Sequence, residues 1–241
     1  TTIMLCLRRT LVQYYHYSAK TALQWLFIAT FFCCSFQLQA QDTEQKKLQR
    51  LFVTATDNST IELPEGTYQL NMSLWLDGKK NVIIKGQGMD KTILNFTNQV
   101  SGAEGIKVTN GQNITLQDLT VQDTKGDAIK TQHVNGITFK QVKAEWTRGA
   151  NSKNGAYGLY PVQCTNVLID GCEARGASDA GIYVGQSTEV IVRNCHAHGN
   201  VAGIEIENCK HSAVFNNLAE GNTGGILVFD LPELPAGNGF D

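Results

Sequence analysis

AGIYVGQSTEVIVRNCHAHGNVAGIEIENCKHSAVFNNLAEGNTGGILV, residues 180–228, repeats one short phrase three times: Gly181-Ile182-Tyr183-Val184, Gly203-Ile204-Glu205-Ile206 and Gly225-Ile226-Leu227-Val228. Upstream, Gly158-Leu159-Tyr160, Asp127-Ala128-Ile129-Lys130 and Gly105-Ile106-Lys107-Val108 continue it. With the Ile or Leu as marker, the positions 106, 129, 159, 182, 204 and 226 advance by 23, 30, 23, 22 and 22. A second column, Ile114, Ile137, Val167, Val190 and Ala213, advances by 23, 30, 23 and 23. Two columns that share a period and one long step define a repeat, and a repeat of this length is the signature of a solenoid.

The alternation in Val190-Ile191-Val192-Arg193 and Ile204-Glu205-Ile206-Glu207 has the period of a strand, and no segment has room for a long helix. Strands this short must pair in parallel with the equivalent strand of the next coil, about 4.8 Å away. Aliphatic residues then stack inward and Lys, Glu, Tyr and Arg point outward. The 30-residue coil places its extra residues in one loop. The fold expected is all-β: a right-handed, single-stranded parallel β-helix of 22–23-residue coils. Leu48, Leu51 and Phe52, at i, i+3 and i+4 within 42–56, predict a short amphipathic helix capping the first coil.

The order Asn or Asp, short apolar strand, turn with Asn or Gly, then G-I-x-V resembles the right-handed parallel β-helix repeat of the pectate-lyase-like superfamily. Thr60-Ile61-Glu62-Leu63-Pro64-Glu65-Gly66-Thr67-Tyr68 and the segment Asn81 to Leu94 resemble the entry into that helix in secreted members. The likeness covers roughly residues 45–241. It implies a fold that hosts lyases, hydrolases, epimerases and non-catalytic members, so activity must be read from the site.

Arg8, Arg9 and Lys20 precede an apolar run from Ala22 to Phe36 and a small residue, Ala40, before Gln41. This pattern predicts a cleaved signal peptide over 1–40, and the run is short of the roughly 20 residues of a membrane span. A periplasmic or extracellular β-helix domain over 41–241 is the expectation, with no membrane span in the mature chain. The last residues, Gly237-Asn238-Gly239-Phe240-Asp241, stop in mid-pattern, which predicts a domain truncated at its C-terminus. Three of the 20 Lys and Arg lie in the leader; the remaining 17 face 22 Asp and Glu, a balance of −5. That balance, without a basic stripe, argues against nucleic acid.

Cys172 and Cys195, 23 apart, fall in one inward column beside Val142 and Leu218. They read as a stack of small apolar side chains, with a disulfide as the alternative in an oxidising compartment. Asn194 and Asn217 read as a stacked amide ladder at the turns.

The loop column between the first strand and the Gly-led strand gathers Asp123, Lys125, Asp127, Arg148, Lys153, Arg175, Asp179, His196 and His198, and the adjoining strand adds Lys107, Lys130, Tyr160, Tyr183 and Glu205. Such a groove suits an acidic polysaccharide, with Tyr rings for sugar faces and Arg for uronate carboxylates. A lyase or epimerase would need a base, Lys153 or Lys130; a neutralising cation, Arg148 or Arg175; and a proton donor, Tyr183 or His198. Tyr160, Asp179, Tyr183 and Glu205 are the candidate substrate-binding residues. Gly126-Asp127-Ala128 resembles the aspartate-bearing strand entry of polygalacturonases but lacks the second carboxylate. His196 and His198 share a face only if a strand runs through them. Calcium is the candidate cation for Asp179, Glu205 and Glu207; Glu205 and Glu207 read equally as solvent-facing alternation. The alternative function is a non-catalytic scaffold or accessory protein acting through a protein partner.

Overall fold

The computed structural model describes residues 44–234; the leader read at 1–40 and the last residues lie outside them. Among the described residues, seven coils wind into a parallel β-helix in which every strand pairing is parallel. Each coil contributes to three faces. The third face is a seven-stranded sheet of Met72–Asp77, Ser101–Thr109, Ile129–Gln132, Leu159–Val162, Ala180–Gly185, Ala202–Glu207 and Gly224–Phe229. The first two faces form one twelve-stranded sheet folded along its length. Gln112–Gln122 and Asn135–Glu145 run unbroken through the fold line, where Asp118 and Gln141 take φ of 58° and 51°.

The Gly-led column sets the register: Leu74, Ile106, Ile129, Leu159, Ile182, Ile204 and Ile226 are paired in series. All but the last are fully buried, and burial of such a side chain contributes about 1.5–3 kcal/mol. The first-face column holds from Val82 through Ile114, Ile137 and Val167 to Val190. Its next member is Ser212 and not Ala213, because this coil has 22 residues on both faces.

Helix 44–54 closes the first coil. Leu48 and Phe52 enter the core, and the buried Gln45 caps the first third-face strand by accepting the Asn71 and Met72 N–H groups at 3.0 and 3.1 Å. Leu51 faces outward, since the buried stripe follows Gln45, Leu48 and Phe52. Val142, Cys172 and Cys195 share an inward column, as read, and both thiols are free. The next position is Asn217 and not Leu218, which is exposed. The Asn217 amide faces inward to accept the Cys195 N–H and donate to the Val192 carbonyl, both at 2.9 Å. Asn194 sits in a different column, at φ 56°, and donates to Asp170. An asparagine ladder forms instead through Asn58, Asn81 and Asn113, at 2.7 and 2.9 Å per step. All three take left-handed φ near 55°, which asparagine tolerates best among non-glycine residues.

Candidate functional site

The outward column of the third face reads Trp75, Lys107, Lys130, Tyr160, Tyr183, Glu205 and Leu227. The long coil adds Tyr157 just before its third-face strand, and the three tyrosines close on one another. Tyr157 stacks on Tyr183, with centroids 4.6 Å apart and planes at 27°. Tyr160, next to Tyr183 in the column, meets it edge-on at 4.9 Å and 76°. Lys130 Nζ lies 4.6 Å above the Tyr160 ring. Tyr183 is only 5% exposed, because its ring lies flat over Gly185, where any Cβ would come within 2.7 Å of it. Its hydroxyl donates to Glu207 Oε2 at 2.7 Å.

Carboxylates frame these rings. Glu205 and Glu207 are 9% and 7% exposed, so they are not the solvent-facing alternation their spacing implies; the leaning tyrosines cover them. Burial raises Glu205 to about 7, reinforced by the neighbouring Asp179 and Glu207 carboxylates. Burial also raises Asp127 to about 6, opposed by Lys130 and by the Tyr157 N–H, which donates to Asp127 Oδ1 at 3.3 Å. The Tyr157 hydroxyl is pushed far up, first by burial and then by Asp179. Lys107 pairs with Glu104 at 3.2 Å. Two carboxylic acids that titrate near neutrality beside aromatic rings can hold and deliver a proton.

These values carry a stability consequence. A carboxyl whose folded value exceeds its unfolded value of about 4 binds protons more tightly when folded, so its penalty is absent at pH 4 and complete above its folded value. Glu205→Gln should therefore stabilise the protein by roughly 2 kcal/mol at pH 8 and by almost nothing at pH 4. Urea midpoints at the two pH values measure this; equal shifts at both would count against it.

The remaining sequence candidates lie elsewhere. Arg175 and His198 project from the second face, where Arg175 Nε pairs with Glu145 at 3.2 Å and His198 Nε2 meets Glu173 at 3.3 Å. Glu173 also holds Lys143 at 3.5 Å. A strand does run through His196–His198, so their rings stack at 4.3 Å on one face. Among the described residues, no group of three or more His, Cys, Asp or Glu could hold a metal ion. Arg148 and Lys153 are exposed on the long coil's loop. The structure thus brings together Lys130, Tyr160, Asp179, Tyr183 and Glu205, and places Arg175 and His198 on another face. Tyr157 was missed as a partner of this patch; the 30-residue step from Asp127 to Tyr157 is the signal that aligns Tyr157 with it. A separate cleft of about 210 Å³ follows the turn between the third and first faces. Its Gln163 side chain bonds Gln132 at 2.9 Å and Gln186 at 3.3 Å, a structural ladder.

A model of the right handed beta helix region matches residues 80–233. No curated protein matches the sequence. Among solved structures, a pectin methylesterase variant in complex with a hexasaccharide shares 12% identity at a TM-score of 0.41, covering 78% of this chain and 62% of its own. An alginate lyase from Paenibacillus sp. str. FPU-7 shares 15% at 0.43, covering 70% and 72%. The pectin methylesterase of Erwinia chrysanthemi shares 11% at 0.40, covering 69% and 59%. The chain thus spans less than two thirds of the length of both pectin methylesterases.

Proposed function

This chain belongs to the right-handed beta helix family, and we propose that it binds a polysaccharide along its third face and modifies it by proton transfer. The fold hosts many chemistries, so the site carries the proposal. The decisive observation is the tyrosine cluster from neighbouring coils beside Asp127 and Glu205, both raised toward neutrality. Trp75, half exposed in the same outward column as Tyr160 and three coils away, extends the apolar track by about 14 Å at roughly 4.8 Å per coil. Sugar rings stack on such faces. Asp127 or Glu205 then serves as general acid or base. Export through the leader read at 1–40 is part of the same proposal.

A uronate lyase or epimerase would take its base or its neutralising cation from Lys130; Tyr183, buried and with its hydroxyl committed to Glu207, is held far above the range of a proton donor, so Asp127 or Glu205 would supply the proton instead. Arg175 and His198 are engaged with Glu145 and Glu173 on another face.

The test is calorimetric titration of the protein with a panel of neutral, anionic and cationic oligosaccharides, repeated with Trp75→Ala and Tyr160→Ala. Each variant is expected to weaken binding about tenfold, the loss of one stacked ring, or about 1.4 kcal/mol. Unchanged affinity in both variants, or no binding to any member of the panel, would overturn the proposal.

A further inference from the structure

The charges around the tyrosines point to what kind of sugar they accept. Five carboxylates, Glu104, Asp127, Asp179, Glu205 and Glu207, face two lysines. Lys107 is engaged by Glu104 and Lys130 rests on Tyr160. Glu207 receives the Tyr183 hydroxyl. Glu205 receives nothing. It is 9% exposed, and among the described residues no hydrogen-bond donor or cation pairs with its carboxylate; its charged neighbours are Asp179 and Glu207. A largely buried, unpaired carboxylate beside two others is relieved either by a proton, which its raised value reflects, or above neutrality by a cation arriving from outside.

We propose that the niche bounded by Tyr157, Tyr183, Asp179 and Glu205 receives the protonated amine of an amino sugar, so that the chain bound on the third face is a glycan with free ammonium groups. This rests on the carbohydrate reading above and gives its substrate class. An ammonium group gains from carboxylates and from aromatic faces at once, and the niche supplies both. A divalent metal needs several converging oxygen or nitrogen ligands, and no group of three or more His, Cys, Asp or Glu among the described residues offers them. A polyuronate would bring like charge to a face whose lysines are already engaged.

The experiment is calorimetric titration of the folded protein, in buffer near neutral pH where the Glu205 carboxyl is substantially ionised, with a glucosamine tetramer and its fully N-acetylated counterpart. A galacturonate tetramer, spermidine and calcium chloride complete the set. Wild type is compared with Glu205→Gln, whose thermal unfolding confirms that it is folded, and with Tyr160→Ala. The glucosamine tetramer is expected to bind wild type at least about tenfold more tightly than the acetylated tetramer. Glu205→Gln should abolish that preference, whereas Tyr160→Ala weakens both tetramers alike. Equal or tighter binding of the acetylated or galacturonate tetramer would overturn the amine assignment and leave the carbohydrate reading standing. Spermidine binding as tightly as the glucosamine tetramer would show an ammonium site without sugar recognition and overturn the amino-sugar assignment. Saturable calcium binding lost in Glu205→Gln would make the missing cation a metal. Silence from all three tetramers would sink both readings.

Discussion

Trp146→Ala is expected to destabilise the protein by about 3–5 kcal/mol, the cost of removing a fully buried aromatic side chain and leaving its cavity. Trp146 fills the corner beneath the long coil's loop. Its indole N–H donates to the Thr124 carbonyl at 2.8 Å and its backbone N–H to the Arg175 carbonyl at 3.1 Å, so it ties the coils on either side. Gly155 packs so closely that a Cβ there would lie 2.7 Å from the indole ring. With the indole gone, the loop that delivers Tyr157 loses its floor, and glycan affinity should fall with stability. Urea unfolding measures the first effect, and Trp146→Phe, which keeps most of the volume, should lose less than half as much. A loss below about 1 kcal/mol for Trp146→Ala would show that the corner collapses without cost.

Gly158→Val should be nearly as damaging, for a reason of space and not of volume lost. A Cβ at this position would stand 2.3 Å from the Gly181 carbonyl oxygen and 3.2 Å from the Ala144 methyl. The first obstacle is backbone, held by the Gly158 N–H bonding the Ala180 carbonyl at 3.1 Å, so the two coils must part. Overpacking of this kind costs about 3 kcal/mol. The strands that part are those presenting Tyr160 and Tyr183, so the tyrosine cluster should open and binding should weaken at least tenfold. Gly225→Ala is the control: it occupies the same place in the repeated phrase, nothing among the described residues lies within 4 Å of its Cβ, and its effect should stay within about 0.5 kcal/mol. Equal losses at the two glycines would show that the phrase tolerates no side chain for reasons unrelated to crowding between coils.

The Gly-led column was legible because its signal is redundant: inward Ile or Leu, preceding small residue and near-regular step agree, and the six strands it marks pair in that register, whereas the first third-face strand, at Leu74, escaped it. Errors arose where a polar residue fills an inward position. Ser212 was passed over for Ala213, and Asn217 for Leu218, because an apolar neighbour fits a hydrophobic column better than a polar one. The structure accepts Asn217 there because its amide satisfies two backbone groups, which no hydropathy pattern reveals. The site was legible as a list of outward residues, but not as a place. Residues of the second and third faces are close in sequence and project in different directions, which separates Arg175 and His198 from Tyr183 and Glu205. Outward alternation also fails to foretell burial, since Glu205 and Glu207 are covered by rings that lean from the coil before.

Every strand partner lies one coil away along the chain, so the coils resemble plates in a stack more than parts of a single block. In such a molecule opening begins at the outer plates and works inward, and the free energy of exposing an amide rises with the number of plates that must first peel away. The strand Gly224–Phe229, with Ile226 and Val228 exposed, lies at one edge of the described stack, whereas Tyr157, Tyr160 and Tyr183 have coils on both sides. Amide hydrogen exchange should therefore form a gradient along the axis, with the tyrosine niche among the last regions to take up deuterium. Recognition chemistry placed there remains intact while the outer coils fray.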